Sequence, residues 1–576
     1  MSDRRIVFTA WLVSAVATFA IMAPLWRPGY LLYRDAVSTP RTFLTDSTLG
    51  IGGNPPRAVP QDGLIALLSS VVNGGTVVVA ILTLSLLLAG VGYGLLAGRV
   101  VRGAGATGVA AASIIALWNP FVAERLLQGH WSLFTSYAAL GWILLSALRI
   151  KESWDSDVRP AGKWHNWAIL FLATLVAALT PSGWLIGSVV VLAALSIPLL
   201  IRRRCIAAML SAAPIVIGSL PLLVSAAVGT SVTTAPAISV STFALRAEPG
   251  LGRLLTAVSL GGIWNADAEP SSRQSGWATV AALLFTAVVA VGIWWLWHTR
   301  NALDSSARSV IVTALALAGG ALTVIVCVSA GPGMSALKWL TESVAGAGLL
   351  RDTTKFAIFA IPLIALAAAG FVDALKRWVP AGFAIATVLV LVVAPLPDLV
   401  WGVGGAITPV RYPDEWRAVA DRISADEGAI ALWPGDTVRR FDFTDGPSLD
   451  PTARMVRATV AESGELRVDG VVIDPGSAWA TDVHRMLASG GDLGSLGIGW
   501  VLASAPVPSL SNEVPVFRGP TLTLYRISNP HNDFAASTTS RGAALTALGG
   551  WIGAIIASVV ALVGAAIRRR LAPRPR

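Results

Sequence analysis

The stretch "IVFTAWLVSAVATFAIMAPLWRPGYLLYRD" (residues 6–35) decides how the chain is read. Its first part, Ile6 to Trp26, carries no charge and is long enough to cross roughly 30 Å of hydrocarbon as a helix. No small-residue cleavage site follows it, so a retained helix is expected instead of a removed signal peptide. The stretch then ends on a charged pair, Arg34 and Asp35. Which side of a membrane that pair occupies determines what chemistry it can reach.

The same apolar pattern recurs along the chain. Runs at 6–26, 76–97, 106–123, 132–149, 166–181, 184–201, 205–228, 277–297, 309–330, 353–374, 379–396 and 543–567 predict about twelve spans. A hydrophobic share of 54% against 13% charged residues excludes an ordinary soluble domain, where charged residues make up about a quarter. Cys205 and Cys327 lie in separate apolar runs, which predicts neither a disulfide framework nor a thiolate metal site. At 180–183, "TPSG" either closes a tight hairpin or marks a re-entrant pair.

Basic residues cluster in alternate connections: Arg4–Arg5, Arg99–Arg102, Arg149 to Lys163, Arg202–Arg204, Arg300–Arg308, Lys376–Arg377 and Arg568–Arg570. The positive-inside rule assigns these connections and both termini to the cytoplasm. The connections 27–75, 124–131, 229–276, 331–352 and 397–542 then face outward, Asp35 with them.

The last of these is long enough to be a domain. Between Asp398 and Asp533 it holds 18 acidic and 11 basic residues, whereas the whole chain carries +10. "DEWRAVADRI" reads as an amphipathic helix; "GAIALW", "GVVID", "GWVLAS" and "TLTLYRI" read as short strands. The expected fold is therefore an all-α polytopic membrane bundle with a small C-terminal extracytoplasmic α/β domain. Its parts are 1–397 with a large first outer loop at 27–75, the domain 398–542, and a final helix with a basic tail at 543–576. The glycines of "GVGG" (402–405) and "GSLGIG" (494–499) lack the strand, loop and helix context of a nucleotide fingerprint.

Ionisable groups gather at the outer helix ends and are nearly missing from helix interiors. That distribution argues against an ion-coupled transporter, which needs them at membrane depth, and favours chemistry at the interface. Nucleotides are not available outside the cytoplasm, so a lipid-linked sugar phosphate is a fitting donor. Such a reaction needs a carboxylate to take a proton from the acceptor hydroxyl and fixed cations, or a metal, to stabilise the departing phosphate.

Asp35, shortly after the first span and flanked by Arg34, is the candidate base; Asp46 reads as the cap of a helix starting at "STLG". Arg351 and Lys355, four apart in "LLRDTTK", would share one helix face and clamp a phosphate, with Arg34, Arg125 and His130 as further phosphate ligands. Glu124, Trp264, Asn265, Asp267 and Asp352 are the candidate sugar or acceptor contacts. A divalent cation, Mg or Mn, is the cofactor this chemistry admits, with no ligand set assigned. Trp26, Trp118, Trp131, Trp277 and Trp339 read with Trp264 as an interfacial belt. "LIALLSSVV" (64–72) is too short to span and reads either as a piece lying along the interface or as an ordinary packing helix.

In its plan, and in "NPFVAERLLQGHW" (119–131) and "LLRDTTK" (349–355), the chain resembles the GT-C superfamily of integral-membrane glycosyltransferases, actinobacterial cell-envelope enzymes in particular. The resemblance implies a GT-C-like membrane domain and an inverting displacement with Asp35 as base. The donor would be polyprenyl-phosphate arabinofuranose or mannose, the acceptor a cell-envelope glycan or glycolipid. It also implies that the outer module binds glycan or shapes the acceptor groove. Many members carry paired acids in the first loop; here Asp35 is followed by Ala36 and Val37. The competing expectations are a transporter or flippase of lipid-linked sugars, and a non-catalytic envelope scaffold. The partners expected are the lipid donor, the acceptor and membrane lipids, with no nucleic acid.

Overall fold

The computed structural model describes residues 3–52, 58–155, 164–229, 234–531 and 535–571. Arg159 and Lys163 of one basic connection, part of the 229–276 connection, Asp533 and the tail beyond Leu571 lie outside these residues. Among the described residues, ten helices are long and apolar enough to cross a membrane, and a bent pair makes an eleventh if counted as one span. Two of the twelve expected runs differ from straight full spans among the described residues. Within the described residues the run 166–181 forms the 14-residue helix Trp164–Ala177, which ends where the Thr180 side chain caps a new helix that begins at Pro181. The run 379–396 breaks after Val393 and resumes at Pro397 at an angle of 85°, where Pro395 and Pro397 cannot continue the helix.

The centre of the bundle is formed by Gly74–Val100, Gly105–Leu117, Leu133–Asp155 and Ile361–Leu375. Buried Tyr93 and Tyr137 donate to the Tyr137 and Ala116 carbonyls, so neither hydroxyl is left without a partner in the apolar interior. Trp277–His298 crosses Ile361–Leu375 closely: a Cβ on Gly292 would stand 1.9 Å from the Ala367 carbonyl oxygen. The last helix, Thr538–Leu571, packs on Trp164–Ala177 and Cys205–Val228. It is joined to the first loop where Arg541 donates twice to Asp46 (2.6 and 2.8 Å) and Ala536 N donates to the same carboxylate. Asp46 thus anchors the last helix and caps nothing at "STLG".

The C-terminal module is a five-stranded sheet in the order 517–518, 523–526, 498–503, 429–433, 460–461. The three strands 498–503, 429–433 and 460–461 are parallel to one another, and the other two pair antiparallel. Helix Ala478–Ser489 covers one face, and Asp414–Ala420 with the Trp416 cluster covers the other. The strands expected at 428–433, 470–474, 499–504 and 521–527 are present, the second in a separate hairpin, Leu466–Val468 with Val471–Asp474. "GVGG" forms a left-handed turn against Pro24 and Leu25.

Of the six belt tryptophans, Trp26, Trp277 and Trp339 are exposed, but Trp118 and Trp131 are core residues, Trp118 donating to the Leu396 carbonyl. The segment at 64–72 ends a short helix, Gln61–Leu68, whose Gly63 packs against Leu548 of the last helix while Val71 and Val72 are exposed.

Candidate functional site

The sequence "NPFVAERLLQGHW" carries its own start and stop signals. The Asn119 side chain accepts from Val122 N, Pro120 opens the helix where a missing N–H costs nothing, and Gly129 at φ +83° ends it. Residues 120–128 are therefore helix, not connection. The turn that follows abuts the Arg34–Asp35 turn, since a Cβ on Gly129 would lie 2.4 Å from Ala36 N.

That turn closes a tight hairpin, Leu32–Tyr33 antiparallel to Ala36–Val37, with Arg34 at φ 49°. Its backbone is held from two sides. Asp35 N donates to the Gln128 carbonyl (3.2 Å). Arg34 N donates to the Pro447 carbonyl (2.7 Å), and Leu449 N donates to that of Arg34 (2.9 Å). The position of Asp35 is thus set jointly by the helix 120–128 and by the C-terminal module.

A chain of polar contacts starts at Asp35. His130 Nε2 lies 3.0 Å from Asp35 Oδ2, and Gln128 Nε2 donates to the same oxygen at 3.3 Å. His130 Nδ1 lies 3.2 Å from Arg125 Nη1. A guanidinium can only donate, so the network assigns Nδ1 as acceptor and places the imidazole proton on Nε2, toward Asp35. Arg125, fully buried, continues to Asp352 Oδ2 (3.0 Å) and Thr354 Oγ1 (2.6 Å). Burial alone would raise the Asp352 carboxyl, but Arg125, Lys355 and the Thr354 hydroxyl outweigh it and hold it at about 2.

These groups border a cavity of about 790 Å³ lined by Arg34, Asp35, His130, Trp264, Asn265, Asp267, Arg351, Asp352 and Lys355. Nine of the eleven sequence-predicted residues meet there. Arg125 stands behind the wall, and Glu124 does not reach the cavity. Glu124 is buried and accepts from Gly262 N (2.9 Å) and Ile263 N (3.1 Å), tying down the loop that carries Trp264. Two ion pairs, the buried Glu248–Arg273 and the partly exposed Glu269–Arg246, stiffen the same loop, and burial pushes both carboxyls up.

Arg351 and Lys355 reach the cavity by a different route from the expected shared helix face. Arg351 lies at a break between 3₁₀ turns at Ala347–Leu350 and Thr353–Ala360, because Asp352 leaves helical geometry at φ −84°, ψ 84°. Lys355 donates to the Leu349 carbonyl (2.6 Å). Arg351 pairs with Asp474 of the module (3.0 Å) and lies over the Phe243 ring. Arg34 donates to the carbonyls of Leu127 (2.9 Å) and Asp267 (2.6 Å), which makes it a clamp between loops.

Two contributors were missed by sequence reasoning. Gln128 bridges Asp35 and Asn265 (2.8 Å), and Asp474 comes from the far hairpin. Gln128 follows Glu124 by four on one helix, a spacing that could have placed it; Asp474 gave no signal beyond ending a strand. Divalent-cation chemistry does not suit the donor set: Asp35 and His130 engage each other, Asp352 is held by Arg125, and no three potential ligands are grouped among the described residues. No family model and no curated protein matches the chain.

Proposed function

We propose that this chain is an inverting glycosyltransferase of the plasma membrane. It moves a sugar, arabinofuranose or mannose, from a polyprenyl-phosphate donor to a cell-envelope glycan or glycolipid on the outer face. Both termini are cytoplasmic by the arginine distribution, so the cavity and the C-terminal module are extracytoplasmic. The observation that carries the reading is the chain Asp35–His130–Arg125–Asp352 at the edge of a cavity also lined by Arg351 and Lys355.

Asp35 Oδ2 receives the imidazole N–H, and its Oδ1 takes no hydrogen bond from the described residues, which suits it to accept the acceptor's hydroxyl proton. The oxygen so activated attacks the anomeric carbon from the face opposite the phosphate. The bond from that carbon to the phosphate oxygen breaks, and prenyl phosphate leaves. Arg351 and Lys355 stabilise the charge that collects on it. Replacing Asp35→Asn is expected to lower transfer by roughly 10²–10⁴-fold with the melting transition retained. Wild-type turnover in a folded variant removes Asp35 from the base role.

A further inference from the structure

We infer that the cytoplasmic end of the bundle holds a site for the phosphodiester headgroup of an anionic phospholipid, centred on Lys151 and Arg202. The arginine distribution places both residues at the face opposite the large cavity, so the site does not depend on the transferase reading.

Lys151 stands at the end of the span Leu133–Ser153 and is only 7% exposed. An ammonium carries three N–H donors, and Ser309 Oγ in the first turns of Ser305–Cys327 takes one of them (2.8 Å). The carboxylates nearby are committed elsewhere, Glu152 to Arg99 (2.9 Å) and Asp304 to Arg102 (2.7 Å). Among the described residues Lys151 has no acidic partner. Its charged neighbour is a second cation, Arg202, which repels it. A buried ammonium set against a guanidinium is costly unless an anion joins the two.

The turn that carries Arg202 supports the same reading. Arg202, Arg203 and Arg204 connect helices Ile197–Ile201 and Cys205–Val228. Arg203 N donates to the Leu200 carbonyl and Arg204 N to that of Leu199 (both 2.9 Å), with Arg203 left-handed at φ 57°. Glycine adopts that conformation without strain, so an arginine there keeps a further cation at a conformational cost. On either side of the turn Leu200, Ile201, Ile206 and Met209 are exposed, which gives the acyl chains of a seated lipid an apolar surface to follow. Basic pockets between membrane helices at the cytoplasmic side are where anionic headgroups bind. A phosphodiester supplies the acceptor oxygens that Lys151 lacks. Phosphatidylcholine has the same phosphodiester but would bring its trimethylammonium to a cluster of guanidinium groups, so the site selects a lipid of net negative charge.

The test titrates the full-length protein, delipidated in maltoside micelles, with phosphatidylglycerol, phosphatidylcholine and soluble glycerol 3-phosphate, and counts the bound molecules by native mass spectrometry. Phosphatidylglycerol is expected to bind about tenfold more tightly than phosphatidylcholine, and glycerol 3-phosphate not measurably. Lys151→Met and Arg202→Gln should each abolish the preference, whereas Arg5→Gln, a basic residue of the same face, should keep it. With phosphatidylcholine alone, Lys151→Met should melt no lower than wild type, because it removes a buried charge that has no counterion. A preference that survives in either folded variant, or that Arg5→Gln lowers as much as Arg202→Gln does, overturns the site. Equal binding of the two lipids overturns it too, and tight binding of glycerol 3-phosphate overturns a lipid as the occupant. If Lys151→Met fails to fold, Arg202→Gln decides alone.

Discussion

Replacing Arg125→Met tests whether the wall of the cavity is electrostatic in origin. Methionine keeps much of the side-chain length in a fully buried position but deletes the charge that faces Asp352 at 3.0 Å. Breaking a buried pair from one side leaves an uncompensated ion, and the expected destabilisation is about 3–5 kcal/mol. The pH dependence sharpens this. Asp352, held at about 2 against an ordinary 3.8, contributes stability that is fully present above its unfolded value and lost as pH falls through 2. The difference corresponds to roughly 2.5 kcal/mol. In the variant, burial acts on Asp352 with less opposition and its carboxyl rises, so the gap between wild type and variant should be widest near pH 6 and narrow toward pH 2. Denaturant unfolding in mixed micelles, followed by tryptophan fluorescence across that range, measures it. Adding Asp352→Asn to Arg125→Met should recover about 1–3 kcal/mol, since the neutral pair leaves no buried ion. A cost under about 1 kcal/mol, the size of a surface ion pair, refutes the reasoning. So does a gap that does not change with pH.

Two further outcomes follow from the same geometry. Gly129→Ala puts a Cβ 2.4 Å from Ala36 N at a φ of +83°, so it should cost about 1–3 kcal/mol and displace the Asp35 turn; a melting curve and a transfer assay together check it, and unchanged values count against the turn contact. Asp474→Asn frees Arg351 from a partly exposed pair worth about 0.2–1 kcal/mol, so dodecyl phosphate should bind up to about fivefold more tightly; equal affinity removes Arg351 from the phosphate site.

The spans were legible because apolar length alone reports them, and the module's strands because alternation and flanking glycines do. The short helix and the bent helix escaped because their ends are set by Thr180, Pro395 and Pro397, local signals inside otherwise continuous apolar runs. Which polar residues gather at the cavity was legible in the sequence, and how each is held there much less so. Asp35, His130 and Arg351 stand out as charges at helix ends, yet Glu124 looks the same in sequence and serves two backbone amides. Only the fold distinguishes a carboxylate at the cavity edge, as Asp35 is, from one that a buried loop has claimed. Arg351 and Lys355 were placed by a helical spacing that Asp352 interrupts, so the residues converge although the reason given for it does not hold.

The tautomer of His130 carries the remaining mechanistic argument. With Arg125 donating to Nδ1 and the proton on Nε2 directed at Asp35, both ring nitrogens are engaged. In the proposed reaction His130 would orient Asp35, and the carboxylate, not the imidazole, would be the base. The proposed arrangement differs from a relay in which histidine is the base: the carboxylate at the cavity edge would accept the proton, and the buried chain behind it fixes its angle.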